Sequence, residues 1–152
     1  MTALDANALV VVEQLTARIK RESFMLERLS DAKTSLTQAM DGLPHTQEKK
    51  SAFEKIVAEE MDLRLLVSEL KIIRAACQAE LCQLLAGKLQ GAAEYFELQT
   101  LTYRYAFGKS IKAIADKINY SMQSVRRFHL AGLSKCGVRL EEVQKLEAEI
   151  CY

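Results

Sequence analysis

From Leu4 to Met40 the apolar residues Val12, Leu15, Ile19, Leu26, Leu29, Leu36 and Met40 return at intervals of three, four or seven. That spacing sets them on one face of a single long amphipathic helix. The run DGLPH, Asp41 to His45, ends it, because Gly42 accepts a left-handed stop and Pro44 disfavours helical geometry in the residue before it. A second pattern starts between Gln47 and Ser51. It carries Ile56, Leu63, Leu70, Cys77 and Leu84 every seventh residue, with Phe53, Val67 and Leu81 between them. At about 1.5 Å per residue each helix exceeds roughly 50 Å. Neither can hide its stripe alone and the break between them is short, so the pair is expected to fold back as an antiparallel, coiled-coil-like hairpin. Its breadth suits a homodimer. Glu22, Glu60 and Arg74 interrupt the seams, where such residues either set register or partner choice or sit at the edge of an imperfect coil, the second being the reading favoured here.

Gly87 and Gly91 loosen the chain before a third helix, Ala93 to Phe107, with Leu98, Leu101 and Tyr105 on one face and Gly108 in the stop position. Ser110 can then cap a short helix in which Ile111, Ile114, Ala115 and Ile118 form one buried stripe. Asn119 can close that helix in a left-handed conformation, and Ser121 can cap the next from Met122. Val125, Phe128 and Leu133 turn the last helix back onto the first, and Ala115 is small where the two must approach. Two helices joined by about three residues make a helix-turn-helix, whose second helix is offered to the DNA major groove. The expected architecture is all-α: a hairpin over residues 1–90, a helix-turn-helix domain over 93–140 and a helical tail over 141–152.

With six Gly and one Pro in 152 residues, the chain has little material for a turn-rich β fold. Its net charge of +1 conceals an asymmetry. Between Thr100 and Leu140, Arg104, Lys109, Lys112, Lys117, Arg126, Arg127, Lys135 and Arg139 face only Asp116, which leaves +7 there and −6 over the rest. Such a split is expected of a nucleic-acid-binding module attached to something else. Cys77, Cys82, Cys136 and Cys151 lack C-x-x-C spacing, with only His45 and His129 to join them, so they are expected as reduced thiols and no metal site is expected. The amino-terminal stretch lacks the basic start of a secretory signal and meets Glu13 after a short apolar run, which points to a cytoplasmic protein with no membrane partner. No phosphate-binding Gly loop and no nucleophile paired with a base is present, so neither an enzyme nor a cofactor is expected.

Helical spacing sets Gln123, Arg126, Arg127, Leu130 and Ser134 on the outer face of the second short helix, with Ser124 in its first turn. Gln can bridge the N6 and N7 edge of adenine, and Arg the O6 and N7 edge of guanine. Lys109, Lys112 and Lys117 flank that face and suit phosphate contacts, which hold register without reading sequence.

The run LQTLTYRYAFGKSIKAIADKINYSMQSVRRFHLAGL resembles sigma-70 region 4, through Leu101, Arg104, Tyr105, Gly108, Ile114, Ala115, Ser121, Ser124, Val125 and Phe128. VRRFHLAGL (Val125 to Leu133) and DGLPH are similar to motifs of short phage and prophage proteins of Gram-positive hosts, which carry a sigma-like module behind a helical segment. The resemblance implies a transcription regulator that binds double-stranded DNA and acts with host RNA polymerase. It places Met122, Gln123, Ser124, Arg126 and Arg127 against bases; beside it, Lys109, Ser110, Lys112, Lys117, Ser121 and Lys135 are expected along phosphates, and His129 as a packing or phosphate residue. Met122 stands where sigma factors commonly have Arg, and Asn119 where Gly is frequent, so the target is not expected to copy a −35 element. No promoter-melting segment is apparent, which favours an activator over a complete sigma factor. Two other readings remain open: a DNA-packaging oligomer like a small terminase subunit, and a helical adaptor that binds polymerase without DNA.

Overall fold

The structure, a computed structural model, describes residues 3–40 and 47–150, all of whose regular elements are helical. The DGLPH break, His45 and Cys151 lie outside the described residues. Helix α1 spans Ala6–Met40 and contains neither Gly nor Pro, and α2 spans Gln47–Lys88 with Gly87 only in its last turn. Asp5 starts α1 by accepting from the Ala8 amide at 2.8 Å, one of the free donors of a helix start. No helix among the described residues is long and apolar enough to cross a membrane.

The described chain divides into two compact units, residues 18–40 with 47–72, and residues 3–17 with 73–150. Within the first, Lys33 of α1 meets Glu60 of α2 at 2.9 Å. Within the second, Arg74 of α2 donates to the Thr16 hydroxyl of α1 at 3.4 Å. Inside the first unit Arg64 and Lys71 of α2 line one cavity with residues 19 to 30 of α1, so numbers fall along one helix as they rise along the other, the pairing of a helical hairpin. Glu60 departs from the expectation of an edge position. It is only 4% exposed, at a seam position three residues from Leu63, and takes Arg64 at 2.7 Å besides Lys33. The two cations hold its carboxyl below the usual range, the Arg64 hydrogen bond foremost. A seven-residue pattern shows where a residue faces but not that two cations await it there.

The second unit draws its core from chain ends that the sequence separates. Leu9, Val10 and Val12 of α1, Leu81 and Leu85 near the end of α2 and Leu89 just past it pack with Leu101, Tyr105, Leu133, Val138 and Val143 in one cluster. A fully buried Leu contributes about 1.5–3 kcal/mol, so this shared cluster outweighs any single local interaction. The compact units therefore part at residues 17 and 72 rather than between 90 and 93, and the helix expected as a tail shares the core of the second unit. Helix α6, Leu140–Ala148, places Val143 fully inside this cluster with Leu140 and Leu146 beside it.

Between α2 and α6 the chain forms a single 3-10 turn at Ala92–Glu94, then α3 (Tyr95–Leu101), α4 (Ile111–Ile118) and α5 (Met122–Lys135). The expected helix from 93 to 107 is not uniform, since it widens into a π-helical turn over Thr102–Ala106. Gly108 then takes a positive φ of 64°, and the Lys109 amide returns to the Tyr103 carbonyl at 2.9 Å. Gln78 of α2 donates to the Ala106 carbonyl at 2.9 Å, so that helix end is satisfied from a neighbouring element.

Candidate nucleic-acid interface

Two caps fix the start of each short helix. Ser110 Oγ accepts from the Ala113 amide at 3.2 Å to begin α4, and Ser121 Oγ accepts from the Ser124 amide at 3.1 Å to begin α5. Asn119 closes α4 with φ 60° and ψ 43°, and the Tyr120 amide bonds back to the Ala115 carbonyl at 3.2 Å. Three residues, 119 to 121, then separate the helices. Ile114, Ala115 and Val125 form a small buried cluster between them, with Tyr103, Ile111 and Ile118 around it. The caps and the Val125 contact lie where the spacing places them, but Leu133, expected against α4, belongs to the larger cluster with Leu101 and Val143, and Phe128 turns to α3.

Helix α5 is held from behind. Gly132 meets Leu101 of α3 so closely that a Cβ there would stand 2.9 Å from Leu101 Cδ1. Phe128 stacks on Phe96 of α3 at 5.6 Å between ring centres, and Tyr120 meets both rings edge-on at 4.7 and 5.2 Å, pinning the turn to α3. Gly137, with φ 73°, ends α5: its amide reaches Ser134 and the Val138 amide reaches Leu133, the double bond of a Schellman stop, over the apolar contact of Val138 with Leu133. Neither the aromatic cluster nor the Gly137 stop is among the sequence-based expectations. Gly137, at the end of the apolar spacing, is the available signal for the stop, whereas nothing in the spacing from residue 96 to residue 128 announces a contact.

The outer side of α5 is open. Met122, Gln123, Arg126 and Arg127 are exposed and Ser124 is half-buried. Arg127 donates to Ser124 Oγ at 3.2 Å, and that oxygen also accepts from Ser121 Oγ at 3.0 Å, so a chain of hydroxyls steadies one guanidinium on the helix start. Lys109, Ser110, Lys112 and Lys117 are exposed on and before α4, with the Lys117 ammonium 4.9 Å from the Tyr103 ring centre. Arg126 borders a cavity of about 290 Å³ that also touches Arg104, Tyr105, His129 and Glu147.

Two of the expected phosphate contacts have other partners. His129 Nε2 lies 2.6 Å from the Tyr105 hydroxyl, with the rings stacked. Burial, with the nearby Arg104 charge, lowers its pKa to about 4 and leaves it neutral at pH 7, so it has no positive charge to offer a phosphate. Burial likewise raises the Tyr105 phenol. Lys135 meets Glu97 at 2.7 Å, and that carboxylate holds its ammonium above the ordinary lysine range. The Arg104 guanidinium is similarly engaged with Glu147 at 3.1 Å. Cys77, Cys82 and Cys136 are free thiols, and burial pushes Cys82 and Cys136 up. No group of three or more His, Cys, Asp or Glu residues among those described is placed to hold a metal ion.

No family model, curated protein or solved structure matches this chain.

Proposed function

We propose that the chain is a sequence-specific double-stranded DNA-binding regulator of transcription, of phage or prophage type, in which α4 and α5 act as a helix-turn-helix beside host RNA polymerase. The observation that carries this reading is the two-sidedness of α5. Val125 and Leu133 are fully buried while Gln123, Arg126 and Arg127 stand exposed on the other side of the same capped helix. An α-helix about 10–12 Å across matches a major groove about 12 Å wide. Within the +7 excess over residues 100 to 140, Arg104 and Lys135 are engaged by Glu147 and Glu97, so the attraction comes from Arg126 and Arg127 with Lys109, Lys112 and Lys117, the lysines supplying phosphate contacts to either side. Gln123, Arg126 and Arg127 are the reading residues, with Met122 and Ser124 at the helix start giving van der Waals and hydroxyl contacts. Ser110 and Ser121 serve first as caps; the Ser110 hydroxyl can still donate to a phosphate, whereas the Ser121 hydroxyl already donates to Ser124 Oγ. His129 and Lys135 are left out of the interface because each is engaged behind it. The resemblance to sigma-70 region 4 adds polymerase as the partner.

Selection of bound duplexes from a random pool tests this directly. A recurring motif spanning one major-groove contact is expected. Retention of no duplex above background, with polymerase retained without DNA, would favour the adaptor reading instead. A large ring in solution would favour packaging.

A further inference from the structure

Helix α2 is apolar on two opposite faces, and only one of them has a partner among the described residues. Within residues 47–72 the inner face carries Ile56, Glu60, Leu63, Val67 and Leu70. At 100° per residue, Ala58, Met61, Leu65, Ser68 and Ile72 fall within an arc of about 80° on the other side. All five are exposed, Met61 by 65%, Leu65 by 61% and Ile72 by 71%. The intervals of four and three from Met61 to Leu65, Ser68 and Ile72 are those of a second coiled-coil seam, with Leu65 and Ile72 at a and Met61 and Ser68 at d.

The borders of this stripe say what covers it. Arg64 and Lys71 line one edge at g, and Asp62 and Glu69 line the other at e. When two such helices lie parallel, each g residue meets the e residue five positions on in the other, so Arg64, whose side chain stays 60% exposed beside its own Glu60, faces Glu69 of the second copy, while Lys71 faces Ala76 and Asp62 faces Val57. Laid antiparallel, like edges meet, and Arg64 and Lys71 oppose their own counterparts. Basic against acidic is satisfied only by the parallel arrangement. We infer that the outer face of α2 between Ala58 and Ile72 is the interface of a parallel homodimer. This inference is independent of the DNA-binding reading. If both hold, the dimer carries two copies of α5 and binds paired half-sites.

Sedimentation equilibrium on the full chain tests it, comparing the parent with a Leu65→Lys, Ile72→Lys double variant. Both positions are exposed, so far-ultraviolet circular dichroism should be unchanged. The parent is expected at twice 17.1 kDa and the variant at 17.1 kDa. A monomeric parent, or a variant that keeps the doubled mass, overturns the interface. Orientation is tested by Ser68→Cys, since a d position meets its own counterpart only in a parallel pair. Mild oxidation should give a reducible covalent dimer that the parent, treated identically, does not form. A doubled mass without this cross-link overturns the parallel register.

Discussion

Gly132 marks the closest approach of α5 to α3, and Gly132→Ala tests whether that approach positions the candidate reading helix. The added Cβ would stand 2.9 Å from Leu101 Cδ1 and 3.1 Å from its Cγ, well inside the roughly 3.5–4.0 Å at which carbon atoms attract. Leu101 is fully buried among Tyr105, Leu133 and Val143, so its side chain cannot turn away without displacing a neighbour. Overpacking of this kind costs about 1–3 kcal/mol. Alanine in a helix returns up to about 1 kcal/mol over glycine. Gly87 is the control: no atom lies within 4 Å of a Cβ built there, so Gly87→Ala keeps its propensity gain and carries no clash. The two substitutions should therefore differ by about 1–3 kcal/mol, at roughly 2–4 °C of melting temperature per kcal/mol in a chain of this size. Thermal and urea melts followed by circular dichroism measure that gap, and Leu101→Ala should close most of it by removing the obstructing methyl groups. Equal stabilisation by Gly132→Ala and Gly87→Ala would refute the close approach.

Three further outcomes are expected. A histidine unfolded takes its proton near pH 6.5 and His129 folded only near pH 4, so its contribution is complete above 6.5, is lost as pH falls from 6.5 to 4, and is flat below. The loss should reach about 1–2 kcal/mol after allowing for partial exposure of the ring. In urea melts across this range His129→Gln should flatten the decline, and an unchanged profile would remove the assignment. Thr100 is fully buried with its hydroxyl oxygen lacking a hydrogen-bond partner among the described residues, so Thr100→Val should gain about 1 kcal/mol in a denaturant titration. Ser121→Ala should cost about 1 kcal/mol by removing the cap, whereas Ser121→Asp should restore the stability and weaken DNA binding by placing a negative charge at the proposed interface. Parallel stability and binding measurements separate these effects.

The parts of this fold legible in the sequence are those decided within one turn of the chain. Ser110 and Ser121 accept from amides three residues on, and at Asn119 the chain's own amides reach back to the Ala115 carbonyl, so local spacing suffices to place α4, the turn and the start of α5. The long helices are legible for a related reason, because an apolar residue every three or four positions names the buried face. It does not name what buries that face. Leu85 near the end of α2 and Leu89 just past it pack with Val143 of α6, a pairing that depends on chain reversals between them, and so spacing alone presents the last helix as a separate tail. Glu60 reads as an interruption of the seam because the cation that completes its site, Lys33, comes from another helix. His129 and Lys135 lie beside the proposed reading residues and carry donor groups, yet Tyr105 and Glu97 engage them. Such partners are set by packing in three dimensions, and residue type alone cannot separate an engaged donor from one open to solvent.

The most direct measurement is the salt dependence of binding to a selected duplex, for the parent and for an Arg126→Ala, Arg127→Ala double variant. Both side chains are exposed, so the fold should be retained. Parent affinity should fall steeply as salt rises, and removing an arginine that neutralises a phosphate should reduce the slope by about 0.9. Removing an arginine that reads a base should cost about 1–3 kcal/mol, a tenfold weakening or more for the pair together with relaxed preference for the selected sequence. Equal binding by both proteins, insensitive to salt, would contradict the assignment of α5 to DNA.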